Sequence, residues 1–175
     1  MHLTQNQIAP EFNTYDLYDM PLNLQHFKGK KVLLSFYRYA SCPFCNLRFN
    51  ALTRKQSEWQ AKGLMTLAVF QSPKHSILEY AGKEPSPIRI IPNPKRDLYR
   101  LYGVEGSWKG FLTGALQIGT FAKALKEGHL PGKVEGEMNM VPADFVIDEN
   151  GKILLAYYGK DISDHVDISE IEKFL

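Results

Sequence analysis

The chain has 175 residues, of which 44% are hydrophobic and 23% charged, and 21 basic against 19 acidic side chains give a formal net charge of +2. This composition is that of an ordinary globular protein, and the length fits one domain over residues 1–175. The balanced charge gives no indication of nucleic-acid binding. The densest basic cluster is Lys28, Lys30 and Lys31, and the Gly29 among them favours a solvated turn before a strand.

The start of the chain shows no targeting signal. Its first nine residues are polar and do not include the apolar stretch of a secretory signal. No apolar run approaches the roughly 18 residues that a membrane helix needs. We therefore expect a cytoplasmic protein that makes no membrane contact. In such a reducing compartment, closely spaced cysteines are expected to be catalytic or metal-binding rather than structural.

The first part of the chain predicts a hairpin followed by a strand, a helix and a second strand. Residues 10–27 indicate an extended arm or hairpin, because turn residues interrupt short alternating stretches. The elements that follow are a buried strand over 32–39, a long helix over 43–61 and an apolar strand over 64–70. Two strands joined by a helix imply a parallel pair with a right-handed crossover, and therefore an α/β fold.

The later part of the chain predicts shorter elements and ends in a hairpin and a helix. The predicted elements are short helices over 73–81 and 95–102, a strand over 88–91, an antiparallel hairpin over 143–148 and 152–158, and a terminal helix over 167–175.

A glycine-rich stretch, residues 103–136, precedes this hairpin and contains eight of the 13 glycines. Apolar residues nevertheless recur in it at helical intervals, namely Phe111, Ala115, Ile118, Ala122 and Leu125. This spacing predicts a helical insertion whose apolar face packs over the sheet. The alternatives are a lid or the contact surface of a homodimer, because long irregular connections are often functional.

The chain has only two cysteines, Cys42 and Cys45, and they lie where the predicted strand gives way to the long helix. The spacer Pro43-Phe44 keeps both sulfur atoms within bonding reach. Free N–H groups and the helix dipole lower the pKa of a thiol at a helix start. We therefore predict that Cys42 is the exposed nucleophile, and that the more buried Cys45, one turn further on, is the resolving thiol.

Metal binding is a weaker interpretation of this cysteine pair. A structural zinc site needs four ligands, whereas the chain offers two thiols and the scattered histidines His26, His75 and His129. We expect neither a metal nor a cofactor.

Four other residues are candidates for shaping the site. Arg48 follows Cys45 by three positions, where it would favour a thiolate or bind an acidic substrate group, unless it only faces solvent. Tyr39 is a candidate wall of the site. Trp108 and Phe111 would either cover the thiols or pack in the core.

Four segments are similar in pattern to one known group of proteins. They are residues 9–12 (APEF), 27–37 (FKGKKVLLSFY), 97–104 (DLYRLYGV) and 145–153 (FVIDENGKI). Together they resemble the peroxiredoxin-like AhpC/TSA family of the thioredoxin-like superfamily, and the resemblance covers nearly the whole chain. It implies a thioredoxin-like fold with an N-terminal extension, a central mixed sheet flanked by helices, and a redox cysteine at the first long helix.

Two branches of this superfamily imply different chemistry. Typical peroxiredoxins carry a threonine three residues before the peroxidatic cysteine and an arginine before the late strand. The threonine position is Tyr39 if Cys42 is the peroxidatic residue, or Cys42 itself if Cys45 is, and the arginine position is Pro142. Thioredoxins carry a cis-proline at the position that corresponds to Pro142. The resemblance therefore predicts a cis Val141–Pro142 bond beside Cys42, open to an extended peptide or a glutathione moiety. The buried carboxylate of thioredoxins corresponds to Ser35.

Three functions follow from these residues. The first is thiol-disulfide exchange through Cys42 and Cys45, with a protein or small-molecule disulfide as substrate. The second is a peroxidase that reduces hydrogen peroxide or alkyl hydroperoxides with Cys42 and returns to the reduced state through an external thiol reductant. The third is a redox-sensing or inert binding module that has kept the fold.

Overall fold

A computed structural model describes residues 1–175 and shows an α/β protein with seven strands and six α-helices. The strands are β1 (Asn13–Tyr15), β2 (Pro21–Asn23), β3 (Lys31–Phe36), β4 (Leu64–Phe70), β5 (Arg89–Pro92), β6 (Ala143–Ile147) and β7 (Ile153–Tyr158). The helices are α1 (Pro43–Ala61), α2 (Lys74–Glu79), α3 (Asp97–Leu101), α4 (Trp108–Ala115), α5 (Ile118–Lys126) and α6 (Ile168–Glu172), and a 3-10 turn spans Leu24–Phe27.

Five strands form a mixed sheet in the order β5-β4-β3-β6-β7, with β3 at its centre. Strand β3 is parallel to β4 and antiparallel to β6, while β5 pairs parallel with β4 and β7 pairs antiparallel with β6. Strands β1 and β2 form a separate antiparallel hairpin. The predicted α/β fold, with a mixed sheet flanked by helices, is therefore confirmed.

The central sheet separates two apolar cores of 20 buried residues each. Alternate side chains of β3 point to opposite faces, so that Phe36 joins one core and Leu33 the other. The second core lies under α1 and contains both cysteines together with Phe49 and Trp59. Full burial of one such side chain contributes about 1.5–3 kcal/mol to the free energy of folding. The core that contains the thiols therefore also stabilises the fold.

Helix α1 has the bounds that the sequence predicts. Pro43 occupies the first helical turn, where its missing N–H costs no hydrogen bond, and Cys42 stands at the N-cap. Gly63 follows the helix with a φ of +87°, a left-handed conformation that favours glycine. Strand β4 begins at the next residue, so the helix ends immediately before the second strand of the predicted strand–helix–strand unit.

The glycine-rich stretch forms two helices, α4 and α5, instead of the single helix predicted, with a turn at Leu116 and Gln117 between them. The predicted apolar face is wrong as well, since Ile118 is 76% exposed. The buried positions of α4 are Gly110 and Gly114, where an added Cβ would lie 2.5 Å from Lys160 O and 2.4 Å from Ile162 Cγ1. The helix packs through its glycines because only they allow the 160–162 backbone to come so close. Helical periodicity of large apolar residues could not reveal such a face.

None of the helices is both long enough and apolar enough to span a membrane.

Candidate active site

The loop between β3 and α1, residues 37–42, carries the first cysteine and is held from several sides. The Ala40 N–H donates to Ser72 Oγ at 2.8 Å. From α1, Asn46 Nδ2 donates to the carbonyl groups of Ala40 and Cys42 at 2.7 and 3.0 Å. These bonds fix the position of Cys42 at the helix start. Sequence reasoning did not identify Asn46.

Both cysteines are free thiols, and both are buried, with Cys42 0% and Cys45 2% exposed. The prediction that Cys42 is exposed is therefore wrong. Residues 130–140, which we call the covering segment, lie against the neighbours of Cys42, namely Arg38 and Ser41. This segment passes over the loop, and its Lys133 carbonyl accepts a hydrogen bond from Ser41 Oγ at 2.6 Å.

A second site residue that sequence reasoning missed is Arg38, which is 2% exposed. Its Nη1 donates to Cys42 Sγ at 3.4 Å, and its Nη2 donates to the carbonyl oxygen of Met138 in the covering segment. The guanidinium group also lies over the rings of Tyr39 and Phe111, 4.9 and 5.9 Å from their centres. The positive charge of Arg38 therefore lies beside the Cys42 sulfur, and both residues are buried from solvent.

The electrostatics of the pair separate the two thiols. Burial alone would raise the pKa of Cys42, but the neighbouring Cys45 thiol, the charge of Arg38 and backbone N–H groups of Cys45 and Phe44 lower it to about 7. Burial and the proximity of Cys42 raise the pKa of Cys45 well above its ordinary value. At neutral pH, Cys42 is therefore the thiol that ionises, and Cys45 keeps its proton.

Tyr39 takes the position where typical peroxiredoxins have threonine, and it belongs to this arrangement. Its hydroxyl group lies 3.5 Å from Arg38 Nη2. Burial raises the pKa of Tyr39, so that its hydroxyl group stays protonated at neutral pH. A protonated hydroxyl group therefore stands next to the cation that contacts the Cys42 sulfur.

The remaining predicted site residues of α1 lie on the side that faces α5 and the C-terminal end. Phe44 packs on Phe121 with ring centres 6.0 Å apart. Arg48 and Phe44 line a surface pocket of about 340 Å³, and Arg48 makes no contact with the Cys42 sulfur comparable to that of Arg38. Pro43 is buried in the first turn of the helix.

The prediction of a cis Val141–Pro142 bond is wrong, because the structure contains no cis peptide bond. Both residues form backbone hydrogen bonds with distant parts of the chain. The Val141 N–H donates to Glu105 O at 3.4 Å, and the Pro142 carbonyl accepts from the Gly159 N–H at 2.8 Å. A trans X–Pro bond satisfies these partners and is favoured by about 0.5–1 kcal/mol, so nothing here requires the rarer isomer.

A buried carboxylate lies beside Ser35, the residue that corresponds to the buried carboxylate of thioredoxins. Asp144 of β6 lies opposite Ser35 of β3 and accepts the Ser35 hydroxyl at 2.5 Å. Its other oxygen lies 3.0 Å from His165 Nδ1 and accepts the Val166 N–H. Burial alone would raise the pKa of Asp144, but attraction to and hydrogen bonding with His165, the charge of Arg48 and the Ser35 hydroxyl lower it to about 2.

The fold and the site together define a class of protein. A central β3 strand that leads into a helix with two buried thiols at its first turn, in a mixed five-stranded sheet, is the arrangement of a thioredoxin-fold thiol oxidoreductase. The model of the AhpC/TSA family matches residues 6–156, and the chain belongs to that family.

Relatives and solved structures agree with this assignment. Peroxiredoxin Bcp of Escherichia coli K12 is 24% identical over 166 residues, which cover 95% of this chain and 92% of that protein. The structure of peroxidoxin BcpB of Mycobacterium tuberculosis matches with a TM-score of 0.67 at 16% identity, over 93% of this chain and 90% of that one. The thioredoxin domain of a thiol-disulfide oxidoreductase of Bacteroides vulgatus matches with a TM-score of 0.59 at 20% identity, over 98% of each chain. The structural similarities show a thioredoxin-like fold, and the relatives similar in sequence are named peroxiredoxins.

Proposed function

We propose that this protein is a thiol peroxidase in which Cys42 attacks a hydroperoxide and Cys45 resolves the product as an internal disulfide. The observation that carries this proposal is the contact of 3.4 Å between Arg38 Nη1 and the fully buried Cys42 sulfur. A cation beside a buried sulfur favours the thiolate, which is the form that reacts with peroxide.

The burial of both sulfur atoms favours a small oxidant over a protein disulfide. A protein disulfide must bring two bulky chains up to the attacking sulfur, whereas Cys42 is 0% exposed beneath the covering segment. Hydrogen peroxide and small alkyl hydroperoxides need far less space. The trans bond before Pro142 also removes the feature that favoured an extended peptide substrate.

The chemistry balances with the groups present and one external reductant. The Cys42 thiolate attacks one peroxide oxygen, so that an S–O bond forms while the O–O bond breaks. The leaving oxygen takes a proton, which we assign to the Tyr39 hydroxyl group, and departs as water or an alcohol, and Tyr39 then regains a proton from solvent. Cys45 then attacks the sulfenic sulfur of Cys42, the S–S bond forms, and water leaves. Two electrons from external thiols regenerate both cysteines.

Stopped-flow oxidation of the reduced protein by hydrogen peroxide and by an organic hydroperoxide tests this proposal. We expect one equivalent of peroxide to be consumed much faster than by free cysteine at the same pH. Cys42→Ser should abolish the reaction. Cys45→Ser should keep the first step and accumulate a sulfenic acid that dimedone traps. A rate for the unsubstituted protein no faster than that of free cysteine contradicts the proposal.

Thiol-disulfide exchange is the second candidate, and the lowered pKa of Cys42 favours it. A thiol with a pKa near 7 combines a large thiolate fraction with good nucleophilicity at neutral pH. Insulin reduction in the presence of dithiothreitol distinguishes the two activities, because only exchange chemistry accelerates it. If Cys42→Ser left both insulin reduction and peroxide consumption unchanged, the protein would instead be a binding module with this fold.

A further inference from the structure

A cation without a partner lies beside the redox pair. Arg48 follows Phe44 by four positions and Cys45 by three on α1, so these side chains lie on neighbouring parts of one helical face. The Nε and Nη2 atoms of Arg48 are buried and have no hydrogen-bond partner. Arg48 also takes part in none of the ion pairs of the protein. A buried donor left unpaired is destabilising, so the arrangement calls for an explanation.

Arg48 lines the surface pocket of about 340 Å³ that begins at Phe44, which we call the Arg48 pocket. Its polar lining includes Thr120, Ser163 and His165, and the rest is mainly apolar. A volume of this size accommodates a small molecule with one charged end. Phe44, which lines the pocket, stands between Cys42 and Cys45 in the chain, so the pocket borders the first turn of α1.

The carboxylates nearest to the pocket are already engaged. Asp144 accepts from Ser35 and Val166 and contacts His165. Asp167, which lines the pocket, accepts from the backbone and the hydroxyl group of Ser169. The charge of Arg48 lowers the pKa of both carboxyl groups, but neither makes an ion pair with it. The guanidinium group therefore has no direct carboxylate partner.

We propose that the Arg48 pocket binds the carboxylate group of a small-molecule thiol that reduces the Cys42–Cys45 disulfide. This inference rests on the proposed function, in which an external thiol closes the cycle. The two arginines then divide the reaction. Arg38 acts at the Cys42 sulfur on the oxidant, and Arg48 acts on the reductant from the Cys45 side of α1.

The reductive step balances with two thiol molecules. The thiolate of the first attacks the Cys45 sulfur, so that a new S–S bond forms while the Cys42–Cys45 bond breaks. Cys42 leaves as the thiolate that Arg38 stabilises, and Cys42 is the better leaving group because its pKa is the lower of the two. A second thiol attacks the reductant sulfur of the mixed disulfide. Cys45 leaves and takes a proton, and the two reductant molecules depart joined by a disulfide.

Reduction kinetics with thiols of different charge test this proposal. The protein is first oxidised with diamide, which makes the disulfide whether or not the protein has peroxidase activity. It is then reduced with 3-mercaptopropionate, 2-mercaptoethanol or cysteamine, and rates are compared between the unsubstituted protein and Arg48→Gln for each thiol. This comparison cancels the intrinsic reactivity of each thiol. We expect Arg48→Gln to slow 3-mercaptopropionate about fivefold or more and to change 2-mercaptoethanol less than about twofold, as for a partly screened ion pair.

Three controls keep the result interpretable. Arg48→Lys should retain part of the preference for the carboxylate, since the charge remains. Thr120→Glu places a negative charge in the pocket and leaves Arg48 unsubstituted, so it should selectively slow reduction by 3-mercaptopropionate. Arg54→Gln, on the exposed side of α1 with 72% side-chain exposure, should change nothing. Equal slowing of all three thiols by Arg48→Gln would overturn the proposal. It would also be overturned if Arg48 favoured carboxylate-bearing hydroperoxides in the oxidation step but carboxylate-bearing thiols were not favoured in the reduction step.

Discussion

Arg38 Nη1 lies 3.4 Å from Cys42 Sγ, and the same guanidinium group donates through Nη2 to the carbonyl oxygen of Met138. One side chain thus connects the nucleophile to the segment that covers it. The arginine is four residues before the cysteine, in the loop that follows β3. It does not come from the late strand, where the resemblance to typical peroxiredoxins would place an arginine. The charge that stabilises the thiolate is therefore local to the cysteine loop.

Replacing Arg38 by Gln should raise the pKa of Cys42 above its present value of about 7, because one of the groups that lower this pKa is lost. If the pKa returned to its ordinary value near 8.5, the thiolate fraction at pH 7 would fall from about half to about 3%, or roughly fifteenfold. Iodoacetamide alkylation as a function of pH measures this pKa. Arg38→Lys, which keeps the charge, should cause a smaller shift. An unchanged pH profile in Arg38→Gln would show that the guanidinium group does not act on the sulfur.

The two cysteines should influence each other's titration. In the unsubstituted protein, Cys45 lowers the pKa of Cys42, and Cys42 contributes to raising that of Cys45. Cys45→Ala should therefore move the alkylation of Cys42 to higher pH, whereas Cys42→Ala should move that of Cys45 to lower pH. Burial would still hold the pKa of Cys45 above its ordinary range. Mass spectrometry of the alkylated variants identifies the site, and independent titrations would contradict this prediction.

The parts of the fold that local sequence determines could be predicted from the sequence. Strands β3 and β4 are continuous apolar runs, and Pro43 and Gly63 mark the two ends of α1 by their backbone preferences. These signals act over a few residues. They placed the cysteine pair at the start of a helix.

The parts of the site that depend on distant contacts could not be predicted. The Met138 carbonyl that holds Arg38 is 100 residues away, and Ser35 meets Asp144 across 109 residues. Local periodicity carries no information on such pairs. One signal was available, since Arg38 stands between Tyr37 and Tyr39 at the end of an apolar run, where a charge is seldom buried without a partner. The bond before Pro142 is the opposite case. The family resemblance predicted a cis bond there, but the structure has the trans isomer that X–Pro bonds generally prefer.

Asp144→Asn should destabilise the protein by about 2–3 kcal/mol at pH 7, because the buried carboxylate loses its charge-assisted contacts with Ser35, His165 and Val166. The pKa of Asp144 is lowered in the folded state from 3.8 to about 2. Its contribution is therefore fully present above about pH 4 and is lost as the pH falls through about 2. Urea unfolding at pH 7 and at lower pH measures this, and the difference from the variant should shrink on acidification.

The matched control for Asp144→Asn is Asp97→Asn. Asp97 pairs with Arg100 on the exposed side of α3, with side-chain exposures of 61% and 65%, so its loss should cost less than about 1 kcal/mol. A similar loss of stability in both variants would contradict a special role for the buried carboxylate.

Gly132→Ala should loosen the covering segment over the thiols. An added Cβ at this position would lie 2.1 Å from the Tyr80 hydroxyl oxygen and 2.9 Å from Ser41 Cβ, so that the segment must move away from the residue that precedes Cys42. We expect faster alkylation of Cys42 by a bulky maleimide and faster proteolysis within residues 130–140. Gly119→Ala is the control. Nothing lies within 4 Å of an added Cβ at this position, and alanine is well tolerated in a helix such as α5. If Gly132→Ala left maleimide labelling at the level of Gly119→Ala, the covering segment would not be what limits access to Cys42.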